Sequence, residues 1–290
     1  MQILEYFPTR IGQVIKNNLN SNESNILEEI RIRAGKPIIL KLRNENKVLD
    51  YIIGTQDILE IMEKITENSM YSYQKQICSG YITLKGGHRV GISGNVVMED
   101  NKVININYIY SLNFRIARQI IGVSEQVINE IINGDTIYNI LIISKPGAGK
   151  TTLLRDLVRN ISKTKTVGVV DERGEITAMY KNEPQNDMGL KVDILSNVSK
   201  DIGMKMLVRS MAPDIICADE IGTKDDIEAI KYAITSGVKG IFTAHGDNIE
   251  SVRKSPILKE LLDLNIIDKV IVLNKENRDR ILIKSIGKDM

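Results

Sequence analysis

The chain of 290 residues contains no tryptophan and three phenylalanines, and aromatic side chains make up 4% of it. Proteins that track single-stranded nucleic acid combine aromatic stacking platforms with basic grooves. With 39 Lys+Arg against 37 Asp+Glu the formal net charge is +2, so composition supplies neither, and no nucleic-acid partner is expected. The two cysteines, Cys78 and Cys217, fall in different predicted halves with no Cys or His at ligand spacing. That excludes a disulfide framework and reads as structural thiols in a reducing compartment. Two isolated histidines, His88 and His245, argue against a zinc site. Apolar runs such as Ile140–Ile143 are far shorter than the ~20 residues that span a bilayer. Met1-Gln2-Ile3-Leu4-Glu5-Tyr6 lacks the basic start and apolar run of a secretory signal. A cytoplasmic protein is expected, working at membranes only through partners.

What is present is the composition of a folded globular protein, 42% hydrophobic and 26% charged, in a chain long enough for one large domain or two ordinary ones. Residues 1 to about 118 read as an α+β module. Glu29-Ile30-Arg31-Ile32-Arg33 alternates, Ala34-Gly35-Lys36-Pro37 turns, and Ile38–Leu42 continues extended. A helix is expected over 56–69 and a second over 70–77. Gly86-Gly87 predicts a hairpin that contains His88, and Gly91 and Gly94 predict bulges or close backbone approach. Strands are expected at Val96–Met98, Val103–Ile109 and Leu112–Ala117. From Ser124 the period is helical through Val127, Ile128, Ile131 and Ile132, with Gly134 as the stop. Strands at Val167–Val170, Ile215–Ala218, Lys239–Thr243 and Asp268–Leu273 then alternate with helices at Lys200–Met211 and Asp225–Thr235, which predicts an α/β domain with a mainly parallel sheet. Such sheets bind ligands at the carboxyl ends of their strands.

One stretch organises this second half. The apolar run Ile140–Ile143 leads into Ser144-Lys145-Pro146-Gly147-Ala148-Gly149-Lys150-Thr151-Thr152, and an amphipathic helix follows through Leu153, Leu154, Leu157 and Val158. Strand, glycine-bearing turn and helix are the context of a Walker A phosphate loop, in which successive backbone N–H groups and a helix N-terminus face an anion. Ser144 stands where the pattern has its first glycine, at the strand exit, whereas the phosphate-facing amides lie between Gly147 and Thr151. Lys150 is the candidate for the β- and γ-phosphates of ATP, and Thr151 for Mg²⁺.

A magnesium nucleotide also needs acids at the end of a neighbouring buried strand. Asp214-Ile215-Ile216-Cys217-Ala218-Asp219-Glu220 supplies them, with Asp219 the candidate Mg²⁺ partner and Glu220 the candidate general base. A second strand ends in Asp171-Glu172-Arg173-Gly174-Glu175. Asp171, Glu172 and Glu175 could contact the metal's waters or position the nucleophile, and Arg173 could pair with these acids. A third ends in Thr243-Ala244-His245-Gly246-Asp247, where His245 is a candidate γ-phosphate contact.

Phosphate loop, acidic box, Asp-Glu strand end and histidine box, in this order, resemble the secretion superfamily ATPases that power type II and type IV secretion and pilus machines. The chain is more similar still to the stage III sporulation protein AA family. The likeness is carried by Glu29-Ile30-Arg31-Ile32-Arg33-Ala34-Gly35-Lys36-Pro37, Gly80–Gly94, Ser111-Leu112-Asn113-Phe114-Arg115-Ile116-Ala117-Arg118, Val170–Ile176, Ala218-Asp219-Glu220-Ile221-Gly222 and Thr243–Asp247. The secretion pattern usually opens its acidic box with Glu, where this chain has Asp171 and then Glu172. The resemblance implies a smaller N-terminal α+β domain (1–118) joined to a RecA-like P-loop ATPase domain (119–290), assembled as a homohexameric ring. It makes Arg115 and Arg118, which close the N-terminal module, candidates for γ-phosphate contact. It further implies an ATP hydrolase that energises or assembles a membrane channel between mother cell and forespore during endospore formation. Such a protein would lie on the mother-cell side, peripheral at the forespore-engulfing membrane, held by membrane proteins of the sporulation channel operon. A RecA-like nucleic-acid translocase and a nucleotide-gated scaffold are the competing readings.

Overall fold

The computed structural model describes residues 1–43, 45–134, 136–274 and 281–286. The chain forms two compact units, Met1–Arg118 with Ala178–Gln185, and Gln119–Thr177 with Asn186–Met290.

In the first unit six strands form one antiparallel sheet: β1 (Leu27–Arg33), β2 (Pro37–Leu42), β3 (Asn46–Ile52), β4 (Tyr81–Thr83), β5 (Arg89–Glu99) and β6 (Lys102–Arg115). Their order is β3-β2-β1-β6-β5-β4. The alternation read from the sequence places Ile30, Ile32, Ile38, Leu40, Leu42, Leu112 and Phe114 in one core with Ile11 and Ile15 of the Thr9–Asn17 helix and Ile58, Ile61 and Ile65 of the Thr55–Ile65 helix. The two strands expected at 103–109 and 112–117 are one long strand, in which Tyr108 takes φ +47°. Gly94 lies where the backbones close up, since a Cβ there would stand 2.7 Å from the Asn107 carbonyl oxygen. His88 Nδ1 accepts the Ala117 N–H at 3.0 Å. The remote segment Ala178–Gln185 is part of this unit: Tyr180 and Lys181 both bind Glu67, and Gln185 Oε1 accepts the Gly86 N–H at 2.7 Å.

The second unit opens with a helical turn at Ile128–Ile131 and a small ribbon, β7 (Ile132–Asn133) with β8 (Thr136–Ile137). The helix expected from Ser124 through Ile132 is thus reduced to a single turn that begins at Ile128, and Ile132 already belongs to strand. The apolar spacing is satisfied either way, because Val127 and Ile131 are buried beneath the main sheet. That sheet contains β9 (Ile140–Ser144), β10 (Val167–Asp171), β11 (Val192–Ser196), β12 (Ile215–Ala218), β13 (Lys239–His245), β14 (Lys269–Leu273) and β15 (Ile281–Ser285), in the order β11-β10-β12-β13-β9-β14-β15. All pairs are parallel except β14 with β15. Alternate residues of the same strands enter two cores. Ile140, Ile142, Ile215, Cys217 and Ile241 meet Leu154, Leu157 and Val158 of the Lys150–Ile161 helix, whereas Leu141, Ile143, Ile216 and Phe242 meet Leu207, Ile227 and Ile230 of the helices on the other face. This double burial is why the strands read as unbroken apolar runs.

The Lys200–Ser210 helix packs closely on β10 at Gly203, where a Cβ would come within 2.5 Å of Val170 Cγ1 and 3.0 Å of Val198 Cγ1. Gly203→Ala is expected to cost about 1–2 kcal/mol net, overpacking outweighing the gain of up to ~1 kcal/mol in helix propensity. Denaturant unfolding checks this; an alanine variant as stable as the parent would show that β10 yields freely.

Candidate nucleotide-binding site

β9 is buried at all five residues and delivers the chain to the turn at 145–149. Gly147 (φ +76°) and Gly149 (φ +104°) are left-handed, which disfavours any side chain there, and no atom lies within 4 Å of where a Cβ would stand on either. The Lys150–Ile161 helix begins directly after Gly149, so the first-turn N–H groups adjoin the open turn. Lys145 and Asp247 form an exposed ion pair at 3.6 Å. Pro146 and Ala148 lie in the same turn, with the Ala148 N–H on the Lys145 carbonyl at 3.3 Å. Thr152 is half-buried in the first turn of the helix.

Lys150 is 6% exposed, although lysine is almost never so buried without a carboxylate partner. Among the described residues its Nζ has only long contacts, 3.3 Å to the Ser144 carbonyl, 3.4 Å to Ser144 Oγ and 3.4 Å to His245 Nδ1. Burial pushes its pKa below the ordinary lysine value, and Asp219 and Glu220 pull it back up. An ammonium this short of acceptors suits a phosphate.

The parallel register brings the other strand ends to it. Ser144 pairs with His245, and Ala218 pairs with Phe242, so Asp219 emerges beside Thr243. Thr151 Oγ1 donates to Asp219 Oδ2 at 2.5 Å, and Thr243 Oγ1 donates to Asp219 Oδ1. Thr243 Oγ1 also accepts the Glu220 N–H at 2.8 Å, fixing Glu220 in a left-handed conformation at φ +53°. As Lys150 can only donate, it donates to His245 Nδ1; His245 Nε2 faces Glu220 Oε1 at 3.3 Å. The structure thus brings together Ser144, Lys150, Thr151, Asp219, Glu220 and His245. Thr151 and Asp219 offer only oxygen donors, the chemistry Mg²⁺ prefers, and no ready-made cluster of three acids, histidines or cysteines exists among the described residues. The donor chemistry of Thr151 and Asp219 fits Mg²⁺ held together with a nucleotide phosphate.

The acidic box differs from expectation. Asp171 is 2% exposed and both its oxygens are occupied: Oδ1 accepts the N–H groups of Glu175 (2.8 Å) and Ile176 (3.2 Å), and Oδ2 accepts the N–H (2.8 Å) and hydroxyl (2.6 Å) of Thr177. Rather than facing the metal's waters, it pins the loop that follows. Arg155 pins the same loop from the phosphate-loop helix, donating to the carbonyls of Ile176 (2.9 Å) and Glu175 (2.7 Å). Glu172 is bound by Lys200 at 2.6 Å, and Arg173 pairs with Glu220. With Glu175, Lys200 and Asp219 these side chains line one small cleft. Arg115 ends β6 opposite Glu29 and Arg89, and Arg118 donates to the Ser24 carbonyl at 3.1 Å; both belong to the first unit. The sequence reading did not assign Thr243, Arg155 or Lys200. Thr243 carries a strand-period signal, two residues before His245 on the same face, whereas nothing local marks the other two.

Residues 1–286 match the family described as sporulation stage III, protein AA. The chain is 38% identical over 256 residues to stage III sporulation protein AA of Bacillus subtilis (strain 168), covering 86% of this chain and 83% of that protein. Among solved structures, the ATPase DotB of Legionella pneumophila superposes with a TM-score of 0.60 at 15% identity, covering 92% of this chain and 76% of that one. The pilus retraction motor PilT, solved with bound ADP, gives 0.59 at 13% identity over 94% and 78% of the two chains. Likeness at such identities shows the fold, which is that of the P-loop secretion ATPases. Matched over residues 1–286 by one family model and at 38% identity by a named relative, the chain belongs to the stage III sporulation protein AA family.

Proposed function

We propose that the protein hydrolyses ATP and uses the cycle to energise or assemble a membrane channel between mother cell and forespore during endospore formation. The observation that carries the reading is the convergence of Lys150, Thr151, Asp219, Glu220 and His245 at the carboxyl ends of β9, β12 and β13. The backbone N–H groups of residues 147–151 and Lys150 hold the phosphates of ATP, and Thr151 and Asp219 hold Mg²⁺. Bound there, the metal would supply positive charge to the phosphates. Glu220 accepts a proton from the water whose oxygen bonds to the γ-phosphorus, while the bond from that phosphorus to the bridging oxygen breaks and ADP leaves. Lys150 stabilises the charge that grows on the γ-phosphoryl oxygens, and its burial strengthens that interaction.

By family, the protomers assemble into a homohexameric ring in which Arg115 and Arg118 supply further charge at the γ-phosphate, and membrane proteins of the sporulation machinery hold the ring at the forespore-engulfing membrane. The two units correspond to an N-terminal domain and a RecA-like ATPase domain. Among the described residues no helix is long and apolar enough to cross a membrane.

Lys150→Ala is expected to lower ATP turnover by about 10²–10³-fold, as loss of one preorganised donor does at comparable sites, and to abolish complementation in sporulation; phosphate release at parental rate from the purified variant would refute the assignment. Thr243→Val keeps the shape of the side chain while removing both its hydrogen bonds. The Mg²⁺ concentration for half-maximal activity should then rise about 10-fold or more, as read from a metal titration of turnover. A site completed within a ring predicts specific activity that climbs with protein concentration alongside the mass seen by light scattering, and flat specific activity across assembly would count against the hexamer.

A further inference from the structure

Glu220 is engaged at both carboxylate oxygens, and the two contacts lie on opposite flanks of its strand. His245 Nε2 faces Oε1 from β13, the strand next to the phosphate-loop strand, whereas Arg173 Nη1 donates to Oε2 from the turn that follows β10, on the far side of β12. Arg173 sits between fixed points. Asp171 before it holds the N–H groups of Glu175, Ile176 and Thr177, Arg155 holds the carbonyls of Glu175 and Ile176, and Lys200 holds Glu172. Gly174 turns the backbone at φ +64°. Glu220 is fixed too, its N–H on Thr243 and its side chain 25% exposed, but the Arg173 side chain is 64% exposed. Arg173 is therefore the more solvent-exposed member of the pair and the one more readily displaced.

We propose that Arg173 is a latch on the catalytic carboxylate: it draws Glu220 toward the acidic-box side, away from Lys150, and turnover requires the pair to part. The inference rests on the reading of Glu220 as the base in ATP hydrolysis. Release of Arg173 leaves Glu220 with His245, on the side of the sheet where Lys150 and the phosphate loop lie. Arg173 is a positioning residue, acting on the reaction only through Glu220. The turn that carries it joins β10 to the loop pinned by Asp171 and Arg155, so any displacement of that loop sets how often the base is free.

The test is steady-state ATP turnover by the full chain, comparing wild type, Arg173→Gln, Glu220→Gln, the double variant and Lys150→Ala. Arg173→Gln is expected to raise kcat by about fivefold, a modest gain because an exposed ion pair holds weakly, with KM for ATP changed by less than about twofold. The double variant should be as slow as Glu220→Gln alone. A kcat for Arg173→Gln at or below wild type, or a gain that persists without Glu220, overturns the latch. Failure of the underlying reading looks different: Lys150→Ala would turn over like wild type whatever the order of the Arg173 variants. A silent wild type beside an active Arg173→Gln supports the latch, and silence in every protein overturns both.

Discussion

The carboxylate of Asp219 is divided between two hydroxyls, one from the first turn of the phosphate-loop helix and one from the neighbouring strand. Both are charge-assisted hydrogen bonds of the kind worth about 1.5–3 kcal/mol, and neither forms unless β12, β13 and β9 keep their register. Everything else in the site hangs on that register. Thr243 positions Glu220 through its N–H, the pairing of Ser144 with His245 places the imidazole between Lys150 and Glu220, and the buried strands leave no freedom to slip, because a shift of one residue would exchange the two cores. The lysine shows the same constraint electrostatically. It is kept from water by the packing that aligns the strands, and its pKa falls for that reason.

What could be read from the sequence was whatever is local. The phosphate loop is one contiguous strand, turn and helix, and each strand end with its polar cluster is a stretch of a few residues. Their meeting follows from the general rule for parallel sheets without any knowledge of strand order. Strand order is what the sequence hid. β10 lies three strands from β9, with β12 and β13 between them, so the partners of Arg155, Lys200 and Arg173 depend on a neighbourhood that alternating apolar runs do not specify. Asp171 illustrates the limit. From sequence an acid at a strand end beside a phosphate loop looks like a metal contact, yet its burial and four hydrogen bonds to the chain just ahead make it a loop anchor. The Val127-to-Ile132 stretch misled differently: an apolar period of three to four suits a helix, but it is equally met by a single turn followed by a β-branched ribbon.

The acidic box combines rigid and loose parts within a few residues. Asp171 and Arg155 fix its backbone from two directions, whereas Glu172 and Arg173 send their side chains to Lys200 and Glu220 on other elements. Fixed backbone with reaching side chains lets a surface charge cluster act with a defined geometry, although its individual ion pairs are weak.

Beyond Thr177 the chain leaves the second unit, contributes Ala178–Gln185 to the first, and returns at Asn186. The first unit is therefore not encoded by one uninterrupted stretch of gene. A fragment that ended at Arg118 would lack the side chains that bind Glu67 and the backbone of Gly86, and would expose Gly87 where Ala178 now sits 2.8 Å from the place a Cβ would occupy. The same interleaving means that the two halves are tied by three covalent crossings instead of a single linker, so neither a truncation nor a domain exchange at the obvious boundary would deliver a whole module.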